Sequence, residues 1–319
     1  MTPGEPVWLF TDTAMRAHVA SEAHPERPAR LDAILRELQV EPIDGVCWLT
    51  VTPATPGELT CVHAAEHVDA VISTHGRPTV FDEDTATNEH SVDAALLAAG
   101  AARDAIAAVA RGSTRRAFAL CRPPGHHAER SRAMGFCLFN NVAFGVQSAI
   151  EAGLARRVAV VDFDVHHGNG TEEIFYERGD VLVCNLHQSP LYPGTGARQD
   201  RGRGAGEGAT VNVPLPPGID TPVLVRALED EVVPAVVSFG PDLLVVSAGF
   251  DGHKRDRISQ WAIDDEGYRH LSERLVALAE RCTAGRVAFV LEGGYELQGL
   301  ARGVRSAVLA MRGGEVEGG

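Results

Sequence analysis

The sequence predicts an α/β fold in which one mainly parallel, multi-stranded sheet is covered by helices on both faces. Short apolar runs alternate along the 319-residue chain with longer segments whose apolar residues recur at a spacing near 3.6. The short runs are continuously apolar, which is typical of strands buried on both faces of a parallel sheet. The alternation of strand and helix implies right-handed crossovers and a doubly wound arrangement.

The individual elements follow from these two patterns. The expected strands are Arg116 to Cys121, Val158 to Phe163, Val181 to Leu186, Leu243 to Phe250 and Val287 to Leu291. The expected helices are Ser91 to Arg111, Asn141 to Ala152, Thr221 to Val237, Asp264 to Arg281 and Leu297 to Met311. The Gly-rich segment from Gly194 to Gly208 is expected to be one long loop, either functional or a disordered excursion. No repeat or charged linker divides the chain. This favours a single domain that spans residues 1–319 and has its core from about residue 8 to residue 312.

Composition and charge disfavour several classes of protein. Acidic residues outnumber basic ones 43 to 29, and this excess disfavours sequence-independent binding to nucleic acid. The six cysteines form no C-x-x-C pair, so a disulfide framework is not expected. No segment is typical of a signal peptide or of a membrane span, which favours a cytoplasmic protein. The sequence leaves the oligomeric state open, including a homo-oligomer.

Chemically active side chains collect where the predicted strands end. Open α/β sheets bind ligands at the carboxyl ends of their strands. Four strand ends deliver such residues toward one crevice: His126, His127, Asp162, Asp164, His166, Asp251 and Tyr295. This convergence predicts a single functional site.

The segment from Asp162 to His166 points to a metal ion. Alternation along an extended chain places Asp162, Asp164 and His166 on one side. Burying two carboxylates there is costly unless a cation joins them, although a salt-bridged polar strand end is the alternative. Asp251 follows another apolar strand and favours the metal. Asp164, His166 and Asp251 would form a three-ligand site with open positions, typical of a catalytic metal.

Two further features supply acid–base groups. Two prolines and a glycine in RPPGHHA hold His126 and His127 just past a strand. Adjacent histidines alone are weak evidence, but beside a metal an imidazole is suited to moving a proton between water and a leaving amine. Tyr295 lies on a Gly-containing turn and is as readily explained as a packing residue.

Six motifs in order, RPPGHHA, GFCLFNN, DFDVHHGNGT, YPGTG, SAGFD and LEGGY, resemble those of the histone deacetylase family, which has the arginase-deacetylase fold. The match spans about Asp12 to Leu309 and is best to the bacterial, class II-like branch; HPERP, from His24 to Pro28, also fits, although a turn before a helix explains it equally. The resemblance implies a zinc-dependent amidohydrolase that removes acetyl or other acyl groups from acylated amines, above all acyl-lysine in proteins or peptides.

The resemblance also assigns roles. One zinc ion per chain would be held by Asp164, His166 and Asp251, and Tyr295 would polarise the amide carbonyl together with it. His127 would be the general base and later the acid, with His126 as its electrostatic neighbour. Asp162 would orient His126 and help to bind a structural potassium ion with oxygens near Asn185. Asn169 stands where many relatives have an aspartate that orients the second histidine.

The substrate-binding residues are likewise implied by the resemblance. The tunnel walls would be Gly135, Phe136 and Tyr192. Asp84 would hold the substrate backbone, although it is equally explained as one charge in a solvated loop, and Arg27 would line an inner channel for the departing acylate. Ile258 stands where acetylpolyamine amidohydrolases have an acidic gatekeeper.

Three alternatives to a lysine deacylase remain at this point. An acetylpolyamine or other small-molecule amide deacetylase shares the motifs, but Ile258 counts against it. A binuclear manganese hydrolase of the arginase type would use the same carboxylates and histidines for two ions. A non-catalytic acyl-binding module would be expected to lack the tyrosine or a metal ligand, and both are present.

Overall fold

The computed structural model describes residues 4–313, so residues 1–3 and 314–319 of the predicted domain lie outside the described residues. The strands are β1 (Val7–Phe10), β2 (Val46–Leu49), β3 (Thr79–Val80), β4 (Ala86–Thr87), β5 (Arg116–Ala119), β6 (Val158–Asp162), β7 (Val181–Gln188), β8 (Thr210–Leu215), β9 (Leu243–Ala248) and β10 (Val287–Leu291). β3 and β4 form a small antiparallel pair. The other eight form one parallel sheet in the order β2-β1-β5-β10-β9-β6-β7-β8.

The sheet is buried on both faces at its centre. Every residue of β5, β6, β7, β9 and β10 is buried. Because successive side chains of a strand point to opposite faces, burial at every position requires cover on both. The predicted α/β class with a mainly parallel sheet is therefore confirmed, and continuous apolarity was the correct signal for it.

Helices flank this sheet in two groups. The helices are α1 (Ala29–Val40), α2 (Pro56–Leu59), α3 (Ala65–Ile72), α4 (Ser91–Ala110), α5 (Asn141–Glu151), α6 (Asn169–Phe175), α7 (Thr221–Ala227), α8 (Val233–Phe239), α9 (Asp265–Cys282) and α10 (Leu297–Arg312). α4 and α5 pack against each other, whereas α1 and α9 both pack against α10. Within residues 4–313, none of the helices combines the length and the apolar character that crossing a membrane requires.

The structure corrects some predicted boundaries. β5 ends at Ala119 and β9 at Ala248, two residues before the predicted ends, because the chain leaves the sheet to form the loops of the site. The predicted helix from Thr221 to Val237 is interrupted by a π-helical turn, Leu228–Val232. Pro234 lies just after this turn, and proline has no N–H to donate to the preceding turn of a helix, which explains the irregularity.

Three strands of the eight-stranded sheet were not predicted. β1 and β2 are apolar but only four residues long, and two of the four residues of β2, an edge strand, are exposed, so neither stands out as a long buried run. β8 is the other edge strand and contains a proline. The segment from Gly194 to Gly208 is irregular as expected, apart from a short 3-10 turn at Gly204–Gly206.

Candidate active site

The site lies at the carboxyl ends of the four central strands. β5, β10, β9 and β6 are neighbours in the sheet, so the loops that follow them meet at one edge. Asp162 ends β6, and Asp164 and His166 come directly after it. Asp251 lies three residues beyond β9, and His126 follows β5. The structure therefore brings together the side chains whose convergence the sequence predicted.

Asp164, His166 and Asp251 form a compact set of potential metal ligands. One ligand atom from each lies within 4.8 Å of the others. His166 Nδ1 is 3.0 Å from Asp164 Oδ1 and 3.2 Å from Asp251 Oδ2. All three side chains are buried, and Asp251 Oδ2 has no hydrogen-bond partner among residues 4–313. Burial and the charge of Asp164 raise the pKa of Asp251 to about 6. Burying two carboxylates, one of which has an unsatisfied oxygen, is costly unless a bound cation compensates their charge.

Glycines allow these carboxylates to approach the backbone closely. A Cβ atom on Gly249 would lie 2.1 Å from Asp164 Oδ2, and one on Gly293 would lie 2.1 Å from Asp251 Oδ2. The Gly293 N–H also donates a hydrogen bond to Asp164 Oδ2, at 2.8 Å. Gly249 of SAGFD and Gly293 of LEGGY are therefore required by the packing of these carboxylates.

The two adjacent histidines have different partners and different charges. His126 Nδ1 is 3.0 Å from Asp162 Oδ2, and His127 Nδ1 is 2.8 Å from Asn169 Oδ1. Burial disfavours the charged form of His126, but Asp162 and Asp164 outweigh it and raise its pKa to about 10. Burial and the neighbouring His126 hold the pKa of His127 well below its usual value. Of the two imidazoles, His126 is therefore protonated and positively charged, whereas His127 is neutral and able to accept a proton.

Glu292 fixes the turn that carries the histidine pair, a role the sequence analysis missed. Its carboxylate accepts hydrogen bonds from the backbone N–H groups of Gly125 and His126 and from the hydroxyl of Ser247. Glu292 is fully buried at the end of β10. The signal was available, since Glu292 directly follows an apolar strand in the same way that singled out Asp251.

The turn containing Tyr295 is held from two sides. Asp256 Oδ2 accepts hydrogen bonds from the N–H groups of Tyr295 and Glu296, at 2.6 and 2.9 Å. The guanidinium of Arg30 lies 4.9 Å from the centre of the Tyr295 ring, and its Nε donates to the Gly294 carbonyl at 2.6 Å. Burial raises the pKa of the Tyr295 phenol well above its usual value, which keeps it protonated as a donor.

The structure places Arg27 at the surface and not in the predicted inner channel. Its side chain is exposed, because Arg27 lies in the turn before α1. Arg30, about one helical turn further along, is fully buried beside the Tyr295 turn. A buried ion pair also joins Arg30 Nη1 to Glu26 Oε1 at 3.0 Å.

Two aromatic side chains flank the site as predicted walls. The Phe136 ring packs edge-on against Tyr295, with centroids 5.6 Å apart, and the Tyr192 ring packs edge-on against His127 at 5.1 Å. Gly135 has φ +57°, and a Cβ there would lie 2.5 Å from His127 Cδ2, so this position requires glycine. The structure thus places these three predicted residues beside His127 and Tyr295.

The two remaining predicted substrate residues lie further out. Asp84 is exposed, and its carbonyl oxygen is 3.1 Å from His24 Nε2. Ile258 is half-buried and lines a surface cavity of about 640 Å³ together with Arg27 and Tyr295. Its N–H donates to Asp256 Oδ1 at 3.2 Å, so Ile258 is tied to the Tyr295 turn.

Comparisons with known proteins agree with this geometry. The sequence profile of the histone deacetylase domain matches residues 24–311. The chain is 40% identical to a probable deacetylase of Archaeoglobus fulgidus, over 88% of this chain and 79% of the relative. It is 36% identical to a histone deacetylase-like amidohydrolase of Pseudomonas aeruginosa, over 91% and 80%. A crystal structure of the HDA15 HD domain superimposes with a TM-score of 0.91 at 37% identity, covering 96% of this chain and 89% of that one.

Proposed function

The chain belongs to the histone deacetylase family, and from this membership we propose a zinc-dependent amidohydrolase that removes acetyl or other acyl groups from acylated amines. The family itself makes the chain a hydrolase of the deacetylase class. The zinc ion and a preference for acyl-lysine are the further parts of the proposal. One observation carries it: three buried ligand atoms lie within 4.8 Å of one another beside His127.

Asp164, His166 and Asp251 fit a zinc ion by the chemistry of their donors. Three protein ligands from imidazole and carboxylate groups, with open positions, are typical of catalytic zinc. The unpartnered Asp251 Oδ2 supports the same choice. A zinc ion held by these three residues would supply positive charge that polarises an amide carbonyl and activates water.

The chain's own residues then provide the proton transfers. His127 is neutral and its Nδ1 is engaged by Asn169, so Nε2 accepts the proton of the attacking water and returns it to the leaving amine. The charged His126 favours the negative charge that develops on the amide oxygen. The protonated phenol of Tyr295 donates a hydrogen bond to the same oxygen, and such donors act most strongly on the transition state.

The walls of the site favour an extended, uncharged chain next to the amide. Phe136 and Tyr192 offer aromatic faces on the two sides that adjoin Tyr295 and His127. Such surfaces bury the methylene groups of a lysine side chain without reading sequence. Ile258 gives the mouth no charge that selects a second amine. We therefore place acyl-lysine ahead of acetylpolyamines, and Asp84 remains a proposed contact to the substrate backbone.

A potassium ion beside Asp162 is part of the proposal. Asn185 Oδ1 is buried, and no residue in the described part of the chain forms a hydrogen bond with it. A Cβ on Gly168 would lie 2.5 Å from Asp162 Oδ2 and 3.1 Å from Asn185 Oδ1, so these oxygens border one small space. Oxygen ligands of this kind suit a hard cation.

The experiment that tests the function compares substrates on the zinc-loaded protein. Acetyl-lysine peptides, longer acyl-lysine peptides and an acetylated polyamine are supplied separately, and released acylate is measured. We expect the peptides to be hydrolysed with a higher kcat/KM than the polyamine. The His127→Ala variant should be inactive, and His270→Ala, which changes an exposed histidine, should match the unsubstituted protein. Preference for the polyamine would overturn the substrate, and no hydrolysis of any of these amides would overturn the function.

A further inference from the structure

Glu129 contacts the opposite end of the Asn169 amide from His127. Asn169 Nδ2 donates a hydrogen bond to Glu129 Oε1 at 2.8 Å, while Asn169 Oδ1 is 2.8 Å from His127 Nδ1. Among the described residues, this amide is the one side-chain partner of the Glu129 carboxylate, which forms no ion pair there. Asn169 is buried and Glu129 is half-buried.

The chemistry of these partners decides which way the amide faces. An amide has a donor end and an acceptor end, and its hydrogen-bond partners determine their placement. A carboxylate only accepts hydrogen bonds, so the NH₂ group of Asn169 must face Glu129, where it also lies 3.4 Å from the weakly accepting thioether sulfur of Met134. The carbonyl oxygen then faces His127, which must carry its proton on Nδ1 to donate to it. This arrangement leaves the lone pair of His127 on Nε2.

We propose that Glu129 is a positioning residue that selects the Nδ1–H tautomer of His127 through Asn169. The catalytic consequence rests on the proposed function, in which Nε2 of His127 accepts the proton. The tautomer itself does not depend on that function. Without an obligate acceptor at position 129, the amide can turn over and present NH₂ to His127, which would place the lone pair on Nδ1 and block Nε2 with a proton.

The surroundings of Glu129 support a role carried by its side chain. Its backbone is held separately, since its N–H donates to the Arg132 carbonyl at 2.9 Å and its carbonyl is 3.0 Å from His63 Nδ1. The carboxylate opens onto a surface cavity of about 610 Å³ that Glu173 also lines. A longer or differently charged side chain therefore has space at position 129. Substituting Glu129 also leaves the contacts of its backbone in place.

Glu129 also accounts for the amide at position 169. A carboxylate at 169 would lie about as close to Glu129 as the present 2.8 Å contact, and two carboxylates at that distance repel each other. Asn169→Asp should therefore impair the enzyme by itself. Adding Glu129→Gln gives the new aspartate an amide donor, so the double variant should recover most of the lost activity, a coupling that a double-mutant cycle measures.

The test uses Glu129→Lys, which replaces an obligate acceptor with an obligate donor. The lysine should draw the Asn169 carbonyl toward itself and turn the amide over. Nitrogen-15 NMR of the histidine side chains reports the tautomer near pH 8, where an ordinary imidazole is neutral. The His127 signals are identified by their loss in His127→Ala, and the spectra are recorded on both metal-free and zinc-loaded protein. The matched control is Glu173→Lys, which makes the same charge change in the same cavity.

We expect Nδ1–H in the unsubstituted protein and in Glu173→Lys, and Nε2–H in Glu129→Lys. In the zinc-loaded enzyme, kcat of Glu129→Lys should fall by about a hundredfold or more, with little change in KM, because the base has lost its accepting nitrogen. An unchanged Nδ1–H signal in Glu129→Lys, an equal loss of activity in Glu173→Lys, or no recovery in the Asn169→Asp/Glu129→Gln pair would each overturn the proposal. A changed tautomer in a protein that hydrolyses no amide would contradict the proposed function alone.

Discussion

Replacing Glu26 by glutamine should strongly destabilise the protein, because Glu26 balances two buried guanidinium groups. Its carboxylate accepts hydrogen bonds from Arg122 Nε and Nη2, at 2.9 and 2.7 Å, and from Arg30 Nη1 at 3.0 Å. The three side chains are at most 1% exposed. Glutamine retains the size of the side chain and removes the charge. Two buried guanidinium groups would then lack a balancing carboxylate.

The magnitude follows from the pKa of Glu26. Burial alone would raise it, but Arg122, His18 and Arg30 lower it from 4.5 to about 2. A difference of about 2.5 units corresponds to roughly 3 kcal/mol of folding free energy. This agrees with the roughly 3–5 kcal/mol lost when one partner of a buried ion pair is removed. Because the folded-state pKa is lowered, this contribution is complete above about pH 4.5 and is lost as the pH falls through about 2.

The assay is urea unfolding followed by circular dichroism between about pH 7 and pH 8, where the Glu26 contribution is constant. Glu26→Gln should lower the midpoint by the equivalent of roughly 3 kcal/mol, with the slope unchanged. The control is Glu22→Gln, an exposed position that forms no ion pair within residues 4–313. It should stay within about 0.5 kcal/mol of the unsubstituted protein. A loss below about 1 kcal/mol for Glu26→Gln would refute the reasoning, because it would mean that the buried charge is not compensated by this carboxylate.

Three further predictions concern the site. Tyr295→Phe should lower kcat on the order of a hundred- to a thousandfold, because one donor to the developing oxyanion is lost, while zinc content stays unchanged; loss of zinc would contradict this role. Burial and the neighbouring His126 hold the pKa of His127 well below its usual value, so the unsubstituted enzyme should keep its activity to a pH below the usual pKa of an imidazole and lose it only as the pH falls further, and His127→Ala should flatten or displace this acid limb in a pH–rate profile. If the acid limb of the pH–rate profile survived unchanged in His127→Ala, another group would have to be the general base. Ile258→Glu should raise kcat/KM for an acetylated polyamine relative to an acetyl-lysine peptide, and an unaltered ratio would mean that position 258 does not select the second amine.

The centre of the fold could be predicted because its signals are local in sequence. β10 is an uninterrupted apolar run, β6 and β9 are apolar up to Asp162 and Ser247, and strand and helix alternate around them. Asp251 could be singled out from the sequence because it is a charged residue that follows a buried apolar strand. Prediction was weakest toward the edges of the sheet, where β1 and β2 are apolar but only four residues long, two residues of β2 are exposed, and β8 contains a proline.

Apart from Glu292, the buried residues that support the site could not be predicted, since their contacts join distant parts of the chain. Glu26 meets Arg122 across 96 positions, and Arg30 meets the Gly294 carbonyl across 264. Nothing in the local pattern distinguishes the exposed Arg27, in the turn before α1, from the buried Arg30 in its first turn, because the packing of α1 decides which side chain is buried. Asp256 lies in a charged segment that is typical of a solvated loop, although its carboxylate is buried and holds the Tyr295 turn.

The measurement that tests the account most directly is the zinc content of the Asp251→Ala variant, determined by elemental analysis together with hydrolysis of an acetyl-lysine peptide. The control is Asp69→Ala, which removes an exposed carboxylate on α3. We predict one zinc ion per chain and full activity in the unsubstituted protein and in Asp69→Ala. Asp251→Ala should contain almost no zinc and hydrolyse no peptide, because one of its three buried ligands is gone. A full zinc ion retained in Asp251→Ala, or two ions per chain in the unsubstituted protein, would contradict the single metal site formed by Asp164, His166 and Asp251.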